Sequence, residues 1–197
     1  GSTASVATFN VDVSGVADVP VVNLADARGI EDTAIPLNIR IEFADTDGSE
    51  SLTVTIGGVL DGATLNIGGV DVVPNVDGTI TIEAPPAEIA EISITPPENF
   101  SGEIPLSVVA TTSEDGTYAT TVADLSVLVV GDADVAEVTV SDASGAEDQA
   151  IPLEIVPLLV DDDGSEIFTN ITVSGVPQGA ELSAGTDNGD GTWTLLA

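Results

Sequence analysis

The sequence contains no cysteine, no histidine and no methionine, and its 2 basic residues face 34 aspartates and glutamates. Without cysteine, neither a disulfide framework nor a thiolate metal site can form, and without histidine only oxygen ligands remain in quantity. A formal net charge of −32 repels nucleic acid and anionic membranes, because both require neutralising Lys or Arg. The complementary partner is a cation, and an all-oxygen donor set points to a hard one, Ca²⁺ above all. Aromatic residues make up only 3%, too few to line a sugar cleft, and most nucleophile–base pairs lack their His, Cys or Lys. The expectation is a non-enzymatic chain. No run approaches about 18 apolar residues and the first residues lack the basic start of a signal peptide, so no direct membrane insertion is expected.

What is present is a repeat. Gly29-Ile30-Glu31-Asp32-Thr33-Ala34-Ile35-Pro36-Leu37, followed by Asp45-Thr46-Asp47-Gly48-Ser49-Glu50, returns as Gly145-Ala146-Glu147-Asp148-Gln149-Ala150-Ile151-Pro152-Leu153 and Asp161-Asp162-Asp163-Gly164-Ser165-Glu166. The offset between Glu31 and Glu147 is 116 residues, and Asp18 to Asp134 repeats it. A period of domain size indicates an array of similar units. The expected division is 1–17, the final strand of a preceding repeat; 18–133, a complete repeat; and 134–197, the incomplete first half of another.

Hydrophobic residues at 43% support a packed core despite the charge. Ile35, Leu37, Ile39, Ile41 and Phe43 alternate with polar positions, as do Leu52, Val54 and Ile56, then Ile104, Leu106 and Val108; period-2 alternation marks half-buried strands. Ala7, Phe9, Val11 and Val13 show the same pattern. Val19–Leu24 reads as a first strand and Asp26–Asp32, with Gly29 in it, as a turn. Seven or eight short strands per period, separated by Gly and Asp turns and without a convincing amphipathic helix, indicate an all-β fold of tandem immunoglobulin-like antiparallel β-sandwiches. In 134–197, Pro157 replaces Ile41, implying an edge or bulged position, and from Gly58/Gly175 onward the offset is 117. A half sandwich leaves apolar surface and unpaired edges, which invites completion by residues 1–16 of a neighbouring molecule through strand exchange.

Strand counting places the acidic residues. One strand of roughly ten residues holds Glu31 and Asp32 about 33 Å from Asp45, Asp47 and Glu50, so these two groups cannot share an ion. The joint near residue 133 is expected to collect Glu31, Asp32, Asp132, Asp134, Asp161, Asp163 and Glu166. The upstream joint should hold the matching half, Asp18, Asp45, Asp47 and Glu50, with Glu114 and Asp115 as further members. Crowded carboxylates repel, and Ca²⁺, which takes six to eight oxygens, converts that repulsion into a bridge. The alternative is a set of solvated acidic turns that bind nothing specific.

With Ala17-Asp18-Val19-Pro20 and Thr95-Pro96-Pro97-Glu98-Asn99-Phe100-Ser101-Gly102 added to the motifs above, the chain resembles the tandem extender repeats of giant bacterial RTX adhesins, immunoglobulin-like and cadherin-like domains of Gram-negative surface proteins. The resemblance implies a secreted, extracellular spacer at the cell surface, of the kind that serves adhesion and biofilms, with Ca²⁺ stiffening its linkers. By motif it reaches Asp18, Glu31, Asp32, Asp45 and Asp47, and their partners in the second unit, Asp134, Glu147, Asp148, Asp161 and Asp163. Two rivals stand beside it: a carbohydrate- or protein-binding module of a cell-surface protein, and an accessory domain of a secreted hydrolase.

Overall fold

The computed structural model describes residues 3–45, 47–161 and 163–196; Thr46 and Asp162, inside the two acidic turns, lie outside the described residues. The chain divides into two compact units, Gly1–Val130 and Gly131–Ala197. The regular secondary structure of both is almost wholly β-strand.

In the first unit the strands are β1 (Val21–Ala25), β2 (Ala27–Ile30), β3 (Ile35–Pro36), β4 (Asn38–Glu42), β5 (Ser51–Gly57), β6 (Thr64–Ile67), β7 (Val70–Val72), β8 (Ile80–Glu83), β9 (Ser93–Thr95), β10 (Gly102–Glu114) and β11 (Thr117–Val130). A single helical turn, α1 (Pro86–Ile89), precedes β9. They form a five-stranded sheet in the order β2-β11-β10-β5-β8, a four-stranded sheet β3-β9-β6-β7 and a β1-β4 ribbon. Alternation explains which face each strand buries. In β5, Leu52, Val54 and Ile56 point inward, and in β10 Ile104, Leu106, Val108 and Ala110 do so; they meet Ile35, Leu65 and Ile94 of the four-stranded sheet in one core. Burying each Leu, Ile or Val side chain contributes roughly 1.5–3 kcal/mol, so this shared core is what holds the sheets together.

Two sequence expectations change here. Residues 27–30, read as part of a turn, form β2, which runs parallel to β11 with Val127 opposite Ala27 and Val130 opposite Ile30. Its partner lies about 100 residues away, so local turn chemistry at Gly29 could not reveal it. Residues 3–20 form no strand, despite the alternation from Ala7 to Val13. Extended backbone becomes a strand only by pairing, and no segment pairs with this one among the described residues; Phe9 is accordingly 86% exposed.

The second unit contains β12 (Glu137–Val140), β13 (Ile155–Leu158), β14 (Asn170–Ser174), β15 (Thr186–Asp187) and β16 (Thr192–Leu196). Two of its ladders reproduce those of the first. Glu137 opposite Leu158 repeats Val21 opposite Glu42, and Val173 opposite Trp193 repeats Ile56 opposite Ile80. Pro157 sits opposite Val138 in a two-stranded ribbon, where a missing N–H is tolerated. The segments matching β2 and β3 by offset, 143–146 and 151–152, are not strands. In the first unit those strands lean on β11 and β9, whose matching positions lie beyond residue 197. No apolar side chain of the second unit is buried among the described residues; Ile151, the match of the 1%-exposed Ile35, is 42% exposed.

Candidate functional site

The acidic turn after β4 is shaped by its own side chains. The Asp47 amide donates to Asp45 Oδ1 at 3.0 Å, and the Ser49 amide donates to Asp47 Oδ1 at 2.8 Å. The Ser49 hydroxyl donates to the same oxygen. This hydroxyl, and then the amide, hold the Asp47 carboxyl below its ordinary pKa. Gly48 takes φ +88, a left-handed conformation that a side chain would strain.

The turn ends on Glu50, and Glu50 binds the incoming chain. The Asp18 amide donates to Glu50 Oε1 at 2.6 Å. The other carboxylate oxygen, Oε2, is buried without a hydrogen-bond partner among the described residues. Further support for the linker comes from β10, β11 and their connecting turn. The Gly15 amide donates to Asp115 Oδ2 at 2.8 Å, the Ala17 amide to Thr117 Oγ1 at 2.6 Å, and the Thr112 and Thr121 hydroxyls donate to the Asp18 and Pro20 carbonyls at 2.5 and 2.7 Å. Asp18, Asp45, Asp47 and Glu50 thus belong to one end of the unit, together with Asp115. Three of their carboxylates do not converge closely enough to share an ion as they stand.

Glu31 and Asp32 lie at the end where β11 finishes. The Glu31 amide donates to the Val130 carbonyl at 3.1 Å, and Glu31 is 4% exposed. Asp32 adopts φ 55, and its Oδ1 accepts from the Asn99 amide at 3.0 Å. The Thr33 hydroxyl closes the turn on the Ile30 carbonyl at 2.7 Å.

The second unit repeats part of the first end, although the Ser165 hydroxyl donates to Asp161 Oδ2 at 3.2 Å where that of Ser49 donates to Asp47. The Asp134 amide donates to Glu166 Oε1, as Asp18 does to Glu50. The Asp163 amide donates to Asp161 Oδ1 at 2.8 Å and the Ser165 amide to Asp163 Oδ1 at 2.6 Å. Asp161 is buried, whereas Asp132, Asp163, Glu147 and Asp148 are exposed. Asp148 shares the positive φ of Asp32, at 61. A second turn, absent from the sequence expectations as a site, also recurs: Thr79 binds Asp77 as Thr192 binds Asp190, and the Val59 and Val176 amides close on the Gly78 and Gly191 carbonyls.

Thr112, Thr117 and Thr121 were not singled out by sequence. One signal was available for Thr112, a hydroxyl at an inward position of β10 where the run Ile104, Leu106, Val108, Ala110 predicts an apolar residue. All the ligand atoms on offer are carboxylate, hydroxyl or carbonyl oxygens, a set that suits a hard cation and offers nothing to a soft one. The buried, donorless Oε2 of Glu50 fits such an ion. No known protein family matches the chain, and comparison with curated proteins and with solved structures gave no significant match.

Proposed function

We propose that the chain is a piece of a calcium-stiffened spacer, a string of immunoglobulin-like, cadherin-like sandwiches in the extender region of an extracellular bacterial adhesin. The observation that carries this reading is Glu50. One oxygen holds the Asp18 backbone while the other is buried without a donor, beside a turn bearing Asp45 and Asp47. The recurrence of the same bond at Asp134 and Glu166 supports a device built into every repeat rather than a local accident.

In this reading Asp18, Asp45, Asp47 and Glu50 supply ligands at the entry of one repeat, and Asp134, Asp161, Asp163 and Glu166 at the entry of the next. Glu31, Asp32 and Asp132, with Glu147 and Asp148 as their counterparts, supply the facing carboxylates at the exits. Without cations these groups repel one another and the joint is loose. Bound Ca²⁺ neutralises them and links consecutive repeats by oxygen bonds. The work of the protein is mechanical, with no catalysis. The sheet order of the first unit, one core between two sheets, supports the sandwich assignment.

The test is thermal melting and small-angle scattering of the full chain in Ca²⁺, in Mg²⁺ and in EDTA. Calcium is expected to raise the Tm and lengthen the particle, and magnesium to do so far less. An unchanged Tm and scattering curve would reject the calcium lock and leave the alternative, a binding module whose loops engage a carbohydrate or protein.

A further inference from the structure

Among the described residues, every bond that holds residues 15–20 to the strands of the first unit joins a side chain of that unit to the backbone of the linker. Asp115, Thr117 and Glu50 accept from the amides of Gly15, Ala17 and Asp18, and Thr112 and Thr121 donate to the carbonyls of Asp18 and Pro20. Pro20 is buried at the far end of this stretch. Five bonds over six residues leave little slack. None of them requires a cation, since each donor and acceptor is already satisfied by protein.

We propose that these side chains form a clip that keeps the entering linker on its own unit whether or not calcium is bound, so that bending between repeats is confined to the residue where the preceding strand ends and the clip begins. The residue before the clip, Ser14, matches Val130, the last residue of β11, at the 116-residue offset. In a repeat whose preceding strand ends at this position, as β11 does at Val130, the clip starts where the strand stops, giving a point pivot rather than a flexible tether. The second unit carries the part of the clip that its residues allow, Glu166 on the Asp134 amide. Its Gly131 and Ala133 are the matches of Gly15 and Ala17, and the positions matching Asp115 and Thr117 lie beyond residue 197. This inference refines the spacer reading, on which it rests only for the meaning of the pivot.

Amide hydrogen exchange on the full chain, followed by NMR in EDTA, tests it. The amides of Gly15, Ala17 and Asp18 should exchange about tenfold more slowly than those of residues 6–13, the factor expected of a single exposed hydrogen bond. Glu50→Ala should abolish the protection at Asp18 and Asp115→Ala that at Gly15, while amides of β5 and β10 stay protected. Glu50→Gln should retain it, because glutamine keeps the accepting oxygen and loses only the charge. Linker amides that exchange like residues 6–13 in EDTA, and become protected only when Ca²⁺ is added, would overturn the clip. So would a Glu50→Gln chain that loses protection as fully as Glu50→Ala. Calcium-dependent scattering is a separate readout, so the clip and the calcium lock can fail independently.

Discussion

At the scale of single residues, the two units offer a controlled comparison. A methyl group on Gly29 would overlap the Ile35 side chain, with Cδ1 only 2.7 Å away, and one on Gly145 would overlap Ile151 in the same way. Ile35 is locked in the core, whereas Ile151 is partly exposed and can turn aside. Gly29→Ala should therefore destabilise the first unit by about 1–3 kcal/mol, the usual cost of overpacking a core. Gly145→Ala should cost no more than about 0.5 kcal/mol. Urea titration followed by NMR separates the two, because amides of β5 and β10 report the first unit and those of β14 and β16 the second.

The aspartates that open the two Asp-Gly-Thr turns permit a second comparison. Hydrogen bonds from the Thr79 hydroxyl and amide lower the Asp77 pKa, and Thr192 does the same for Asp190. A lowered folded-state pKa means that these bonds favour the fold above the unfolded value, near 3.9, and that this contribution disappears as pH falls through the folded value. Carboxyl NMR titration should find both groups titrating below that value. Thr79→Val, which removes the hydroxyl and keeps the amide, should move Asp77 back toward it and leave Asp190 unchanged.

At the scale of the element, Asp26 decides where the chain changes sheets. β1 pairs with β4, and one residue later β2 pairs with β11. Between them the Asp26 carboxylate accepts from the Ser126 amide at 2.9 Å, occupying a group that the ladder would otherwise leave unpaired at the switch. Asp26→Ala should cost about 0.5–1.5 kcal/mol in a denaturation experiment, the net worth of one hydrogen bond that water can replace at this exposed position. Asp26→Asn, which retains an accepting oxygen, should recover most of the loss. Elements of this kind mark the limit of what the sequence discloses. β4, β5 and β10 were legible because Ile39 and Ile41, Val54 and Ile56, and Leu106 and Val108 alternate within one strand. β2 was not, because its reason for existing is Val127 to Val130. The alternation from Ala7 to Val13 was misleading for the converse reason, since pattern supplies a face but not a partner. At the site, the Asp45 to Glu50 turn could be read from residue spacing. The clip on residues 15–20 could not, because its bonds end on backbone amides and carbonyls, which do not depend on the side chain.

At the scale of the whole molecule, the exposed apolar side chains are unevenly placed. Val6, Phe9, Val11 and Val13 are open to solvent in the first residues, and Ile151, Leu153, Val156 and Leu158 in the second unit. Such surface, together with unpaired strand edges, favours association between chains, and the strand exchange expected from the sequence is one form of it. Light scattering should therefore show concentration-dependent oligomers in calcium, where the net charge of −32 is partly neutralised. Removing residues 1–14 should reduce them. Oligomers that persist unchanged after that deletion would rule out these residues as the exchanged segment.

The parallel pairing of β2 with β11 has a consequence for a chain under tension. Strands that run side by side in the same direction bring the incoming chain to one end of their ladder and release it from the other. Once the linker bonds and the β1–β4 ladder ahead of them have given way, a pull on both ends of the unit acts along Ala27–Ile30 and Val127–Val130 and shares the load among their bonds, rather than peeling them singly. Resistance to stretching is thus written into four residue pairs near the two ends of the unit's sequence.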